Sequence, residues 1–159
     1  MSYTRYELPP TPTAADLKQA ADDYRAIICS VIRAIVERYQ RTPDYPFIDT
    51  KLNLITGEDF DDEDPIRGRG AVYGWIQGRG LESLVGHARF LKSDAQNDHL
   101  VAELDEMIEQ ITAQLQIMRS RNGGHLSFLM DPEGNPFHLA SDGRPLHFSM
   151  NAETPYGFS

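Results

Sequence analysis

The sequence predicts a mainly α fold in which long helices alternate with short hairpins. Three observations predict it. Apolar residues recur every three or four positions in three long stretches, the period of a helix with one buried face. Each stretch is bounded by capping or breaking residues. Two short apolar runs flank Asp131-Pro132-Glu133-Gly134-Asn135, the composition of a hairpin turn.

Residues 1–13 are polar and carry Pro9, Pro10 and Pro12, so they are expected to form an extended arm ahead of one domain over 14–159. Thr13 is suited to cap a first helix, with Asp16 in its first turn. That helix runs from Ala14 to about Arg41, with Leu17, Ala21, Tyr24, Ile28, Val31, Ile32, Ile35 and Tyr39 along it, and Pro43 stops it. Residues 43–70 read as irregular, with a short extended pair around Asn53 to Gly57. A second helix is expected from about Ala71 to Leu91, its buried side marked by Val72, Trp75, Leu81, Leu84, Val85, Ala88 and Leu91. Gly74, Gly78 and Gly80 lie in its first half, where each costs about 1 kcal/mol against alanine. That cost implies close approach by another backbone or by a ligand. After a loop from Ser93 to Asn97, a third helix covers Asp98 to Arg121, striped by Val101, Leu104, Met107, Ile108, Ile111, Leu115 and Met118. Asn122-Gly123-Gly124 ends it. Asp142-Gly143 marks a second turn in the tail.

Composition narrows the function. The 159 residues include 15 Lys+Arg and 24 Asp+Glu, a formal net charge of -9. That balance argues against a nucleic-acid backbone or an anionic membrane as the main partner. Cys29 is the only cysteine, so neither an intrachain disulfide nor a cysteine zinc site can form. The first residues lack the apolar core of a signal peptide, and no apolar run approaches the roughly 18 residues of a membrane span. A cytoplasmic setting is the expectation.

Four constellations invite chemistry. Six acids in seven positions, Glu58 to Asp64, could hold a cation, but they lack the alternating spacing of a calcium loop. A solvated loop paired locally with Arg67 and Arg69 is the expectation. Gly68-Arg69-Gly70 with Gly74 has the wrong spacing for a dinucleotide fingerprint. His125, His138 and His147 fall in the hairpin region, where they could meet as a metal or catalytic cluster, or stand apart. Tyr73-Gly74-Trp75-Ile76-Gln77-Gly78-Arg79 is the most informative segment. Trp75 and Arg79 are four apart and share a helical face. An indole beside a guanidinium suits a sugar, the ring packing on C–H faces and the fork binding oxygen. The alternative is an indole in the core, with Arg79 paired to an acid of another helix.

Trp75-Ile76-Gln77-Gly78-Arg79 resembles the W-[LIV]-Q-[GA]-R motif of the N-acylglucosamine 2-epimerase superfamily, which includes cellobiose 2-epimerases and related sugar isomerases. In that family the motif opens an inner helix of an (α/α)6 toroid, after a long helix and an irregular loop. The run Gly124 to Pro136 is similar to the family's hairpin pattern G-x-x-x-F-x-x-D-x-x-G-x-P, through Gly124, Phe128, Asp131, Gly134 and Pro136. Tyr156-Gly157-Phe158-Ser159 resembles a run that leads into the next inner helix. The resemblance spans about residues 15–159. It implies epimerisation at C2 of a free reducing sugar, or aldose–ketose isomerisation, through an enediolate. No metal or redox cofactor is implied. By the same resemblance Arg79 is the substrate-oxygen ligand, while Trp75, Tyr73 and Gln77 line the sugar pocket.

The family's acid/base histidines and glutamate lie on later inner helices. The expectation is therefore an incomplete toroid, the N-terminal portion of a larger enzyme, inactive as 159 residues. Two rivals remain. Another (α/α)6 enzyme, such as an unsaturated glucuronyl hydrolase, needs an acidic proton donor, for which Glu82 is the candidate on the second helix. A non-catalytic helical module would instead bind a partner or self-associate through its apolar faces.

Overall fold

The computed structural model describes residues 8–148 and the strand Gly157–Phe158. Residues 1–7 of the expected arm, and Tyr156 and Ser159 of the closing run, lie outside the described residues. The chain divides into two compact units, Met1–Arg38 and Tyr39–Ser159. Its described residues are mainly helical, with small two-stranded sheets.

Most of the first unit is helix α1, Ala14–Gln40, whose last two residues belong to the second unit. Its start is a reciprocal cap. The Thr13 hydroxyl accepts from the Asp16 N–H at 3.3 Å, and the Asp16 carboxylate accepts from the Thr13 N–H at 2.8 Å and its hydroxyl at 2.7 Å. Those bonds hold the Asp16 carboxyl below the usual carboxylate range. The helix buries Ala20, Ile32 and Val36. Leu17, Tyr24 and Val31, part of the expected apolar stripe, remain exposed.

In the second unit, α2 (Gly74–Leu91) and α3 (Asp98–Arg121) pack against each other, joined by a 3-10 turn over Ala95–Asn97. The core includes Leu84, Ala88 and Leu91 of α2, and Leu104, Met107, Ile111 and Met118 of α3. α3 has the bounds its periodicity predicts. Its end is a Schellman-type closure: Gly123 and Gly124 take positive φ of 64° and 95°, and the Gly124 N–H reaches back to the Arg119 carbonyl at 2.8 Å.

α2 starts three residues later than its periodicity suggests. Val72–Tyr73 forms strand β1 and pairs antiparallel with β3, Leu129–Met130, in the register Val72↔Met130 and Tyr73↔Leu129. A valine and an aromatic residue suit a pleated, half-buried surface, and this pairing overrides the local helical pattern. β2 (Leu126–Ser127) pairs with β6 (Gly157–Phe158), and β4 (Phe137–Leu139) with β5 (Pro145–His147). The turn over 131–135 closes as its composition predicts, with the Asp131 N–H donating to Asn135 O at 3.0 Å and Met130 bridging Pro136. The Asp142-Gly143 turn joins β4 to β5. The extended pair expected near Asn53 to Gly57 is a bridge between Leu52 and Asp59.

Candidate functional site

The predicted site residues gather at the start of α2. Its first residue, Gly74, touches the strand behind it. A Cβ there would collide with the Ser127 carbonyl oxygen, and the Gly74 N–H donates to Phe128 O at 3.1 Å. Glycine is required by that backbone approach, one of the two reasons its cost implied. The contact fixes where α2 begins and hence where its side chains point.

Tyr73 caps α2 from an extended conformation, with no side-chain cap bond. Its hydroxyl donates to Ile66 O at 3.1 Å, and its ring meets Phe128 edge-on at 5.8 Å. Burial, then the charge of Asp64, pushes its phenol above the usual tyrosine range. Trp75 is 43% exposed, although its apolar character placed it on the expected buried side. The correction follows from geometry. At about 100° per residue, Trp75 stands half a turn away from Leu84, on the opposite side of α2. Arg79, one turn beyond Trp75, is also exposed, and its guanidinium meets no carboxylate among the described residues. Glu82 follows on the same face and is likewise exposed.

Gln77 does not join them. It is 2% exposed and is spanned by one residue: its Oε1 accepts from the Ile48 N–H at 2.8 Å, and its Nε2 donates to Ile48 O at 2.9 Å. Both ends of the amide are engaged in holding the segment before the acidic loop, so Gln77 is placed behind the Trp75–Arg79 face rather than on it. The pattern contains the signal for this: 77, 81, 84, 88 and 91 have helical spacing.

Sequence reasoning missed Lys51. Its side chain is 11% exposed, and its ammonium donates to Gly68 O at 2.6 Å and Ala71 O at 2.7 Å. It also reaches the Tyr45 hydroxyl at 3.4 Å, with Asp49 at 3.9 Å. Burial, then Asp49, pushes the Tyr45 phenol well above its ordinary value. Lys51 and Gln77 together strap the 45–51 segment to the residues that lead into α2. A lone lysine carries no pattern that announces such a role.

The acidic run pairs as expected. Asp62 takes Arg69 in a two-pronged pair at 2.7 and 2.8 Å, and Asp64 takes Arg67 at 2.8 and 2.6 Å. Hydrogen bonds from Arg67 hold the Asp64 carboxyl down at about 2, and those from Arg69 lower Asp62. No group of three metal-ligating side chains occurs among the described residues.

The three histidines of the hairpin region do not meet as a cluster. His138 pairs across the sheet with Leu146, and His147 with Phe137. Successive strand residues alternate faces, so His138 and His147 point to opposite sides. Their rings go separate ways, His147 to Phe137 at 5.6 Å and His138 to Phe148 at 5.8 Å.

A cavity of about 510 Å³ opens elsewhere in this unit, between the end of α3 and the turn at 131–135. Its walls include Arg121, Asn122, Asp131, Asn135 and His147, and none of the four predicted site residues lines it. No described helix is long and apolar enough to cross a membrane. The chain matches no family model, no curated protein and no solved structure.

Proposed function

We propose that this chain is the N-terminal part of an (α/α)6-toroid sugar 2-epimerase or aldose–ketose isomerase, acting through an enediolate on a free reducing sugar. The resemblance of Trp75 to Arg79 and of Gly124 to Pro136 to the N-acylglucosamine 2-epimerase superfamily suggests the class. One observation carries the site: an exposed indole and an exposed guanidinium that meets no carboxylate among the described residues stand one turn apart on a single face of α2. The competing arrangement, a core indole with Arg79 paired to an acid of another helix, is not what that face presents. In this reading Trp75 packs on the sugar's C–H face and Arg79 holds the oxygen that gains charge in the enediolate. Tyr73 supports the start of the helix, and Gln77 holds the loop behind it. The residues that move the proton are expected outside these 159.

Trp75 is the single tryptophan, so its fluorescence reports on the site directly. Titration with free reducing sugars is expected to shift the emission of the parent chain and to leave that of Arg79→Ala unchanged. An identical response from both proteins would remove Arg79 from the site. The 159-residue chain is expected to show no deuterium uptake at sugar C2, and turnover by the pure chain would overturn the assignment of the acid/base groups elsewhere. Glycosidase assays beside epimerase assays separate the hydrolase alternative, which Glu82 on the same face would serve. The exposed Leu17, Tyr24 and Val31 of α1 favour a second reading, a non-catalytic module that self-associates. A stable dimer by sedimentation, without any sugar response, would select it.

A further inference from the structure

The cavity at the end of α3 has the make-up of a second ligand site, and its evidence is independent of the Trp75–Arg79 face. Its volume of about 510 Å³ lies within the range of small-molecule pockets. Arg121 brings a guanidinium that spends one bond, 3.1 Å to Glu133 O, and retains further donors. Asp131 brings a carboxylate whose oxygens accept from the Asn135 N–H and Nδ2, both at 2.8 Å, leaving lone pairs on each. Asn122 is pinned through its Nδ2 to Met118 O at 3.1 Å and Gly134 O at 2.7 Å, so its side-chain carbonyl remains an acceptor. Asn122 and Asp131 are held by these bonds before any ligand arrives, which lowers the ordering cost of binding.

The charge pattern disfavours a simple anion or cation. A guanidinium and a carboxylate share the walls, so a free anion meets Asp131 and a free cation meets Arg121. A neutral ligand rich in hydroxyls satisfies both, because each hydroxyl donates and accepts. The spacing of His147 and Asp131 fits the same class. Nδ1 and Oδ2 are 3.9 Å apart, too far for a direct hydrogen bond, so each keeps bonding capacity for a ligand hydroxyl. Pro136 supplies apolar wall for a C–H face. We infer that this cavity binds a neutral saccharide, with Arg121, Asp131 and His147 on its hydroxyls.

The test is a backbone-amide NMR titration of the 159-residue chain with glucose, galactose and N-acetylglucosamine, with sodium sulfate as the anion probe. At least one sugar is expected to saturate shifts at Gly123, Asn135 and His147 with millimolar affinity, and sulfate to leave them unmoved. Arg121→Ala, which removes an exposed side chain, is expected to weaken that binding by about tenfold or more with its other amide shifts retained. His147→Ala should also weaken it, giving a second variant if the first perturbs the helix end. Saturation by sulfate instead of sugars, equal affinity in both variants, or unmoved amides at about 100 mM sugar would each overturn the inference. Trp75 does not line this cavity, so a fluorescence response at Trp75 with silent amides here would support the α2 site and reject this one.

Discussion

Gln77 and Arg79 stand two residues apart on α2 and meet opposite environments. Gln77 is enclosed, with both ends of its amide on the backbone of Ile48. Arg79 is exposed and its guanidinium meets no carboxylate among the described residues. Two residues turn the helix by about 200°, which separates the face that builds the fold from the face that meets solvent. Residue type does not make this division. A neutral amide became structural because its position falls on the stripe of Leu84, Ala88 and Leu91. A cation is left available because its position does not. The difference shows that a binding motif on a helix can be half scaffold: the motif is contiguous in sequence, but only alternate parts of it share a face.

The comparison can be broken most forcefully at Gln77. Gln77→Ala would strand a part-buried N–H and a carbonyl of Ile48, each costing about 1–3 kcal/mol. Urea unfolding is expected to show a loss of that order, and a variant as stable as the parent would show that the Ile48 segment is not held through this amide. The polar pairs of the acidic loop provide an intermediate case. Asp64 is held at about 2 against an ordinary 3.8. A carboxyl with a lowered folded pKa contributes fully above the unfolded value and loses that contribution as pH falls through the folded one. The Nε signal of Arg67 is therefore expected to move between about pH 4 and about pH 2, while the Gln77 side-chain amide stays fixed. Movement of Gln77 in the same window would reveal that the loop and the inner face of α2 open together. The smallest effect is expected at Arg79. Arg79→Ala should change unfolding free energy by no more than about 0.5 kcal/mol, as for other solvent-exposed substitutions. A larger loss would mean that Arg79 serves the fold after all.

Much of this division is legible in the sequence. The bounds of α3 follow from its apolar period, and its end from two glycines that take positive φ. Thr13 and Asp16 form the cap their spacing predicts, and Asp131 to Asn135 forms the turn its composition predicts. The pairing of the acidic run with Arg67 and Arg69 is also local, over three and seven residues. The spacing of Gln77 to Leu91 contains its burial, and the same spacing contains the exposure of Trp75. Reading the indole as core because it is apolar hides both.

By itself, then, the sequence determined the existence of the helices, the start of α1, the end of α3 and the turns, because each is decided by residues within a few positions of one another. Tertiary structure alone decided the rest. β1 takes Val72 and Tyr73 from the helical pattern because Met130 and Leu129, far along the chain, offer them a ladder. Lys51 becomes a strap because Gly68 and Ala71 present two carbonyls to one ammonium. His138 and His147 part because strand register sends neighbours to opposite faces. The cavity beside Arg121 exists because the turn at 131–135 folds back onto the end of α3. These contacts join residues many positions apart, and their energy depends on burial and geometry that no local spacing encodes.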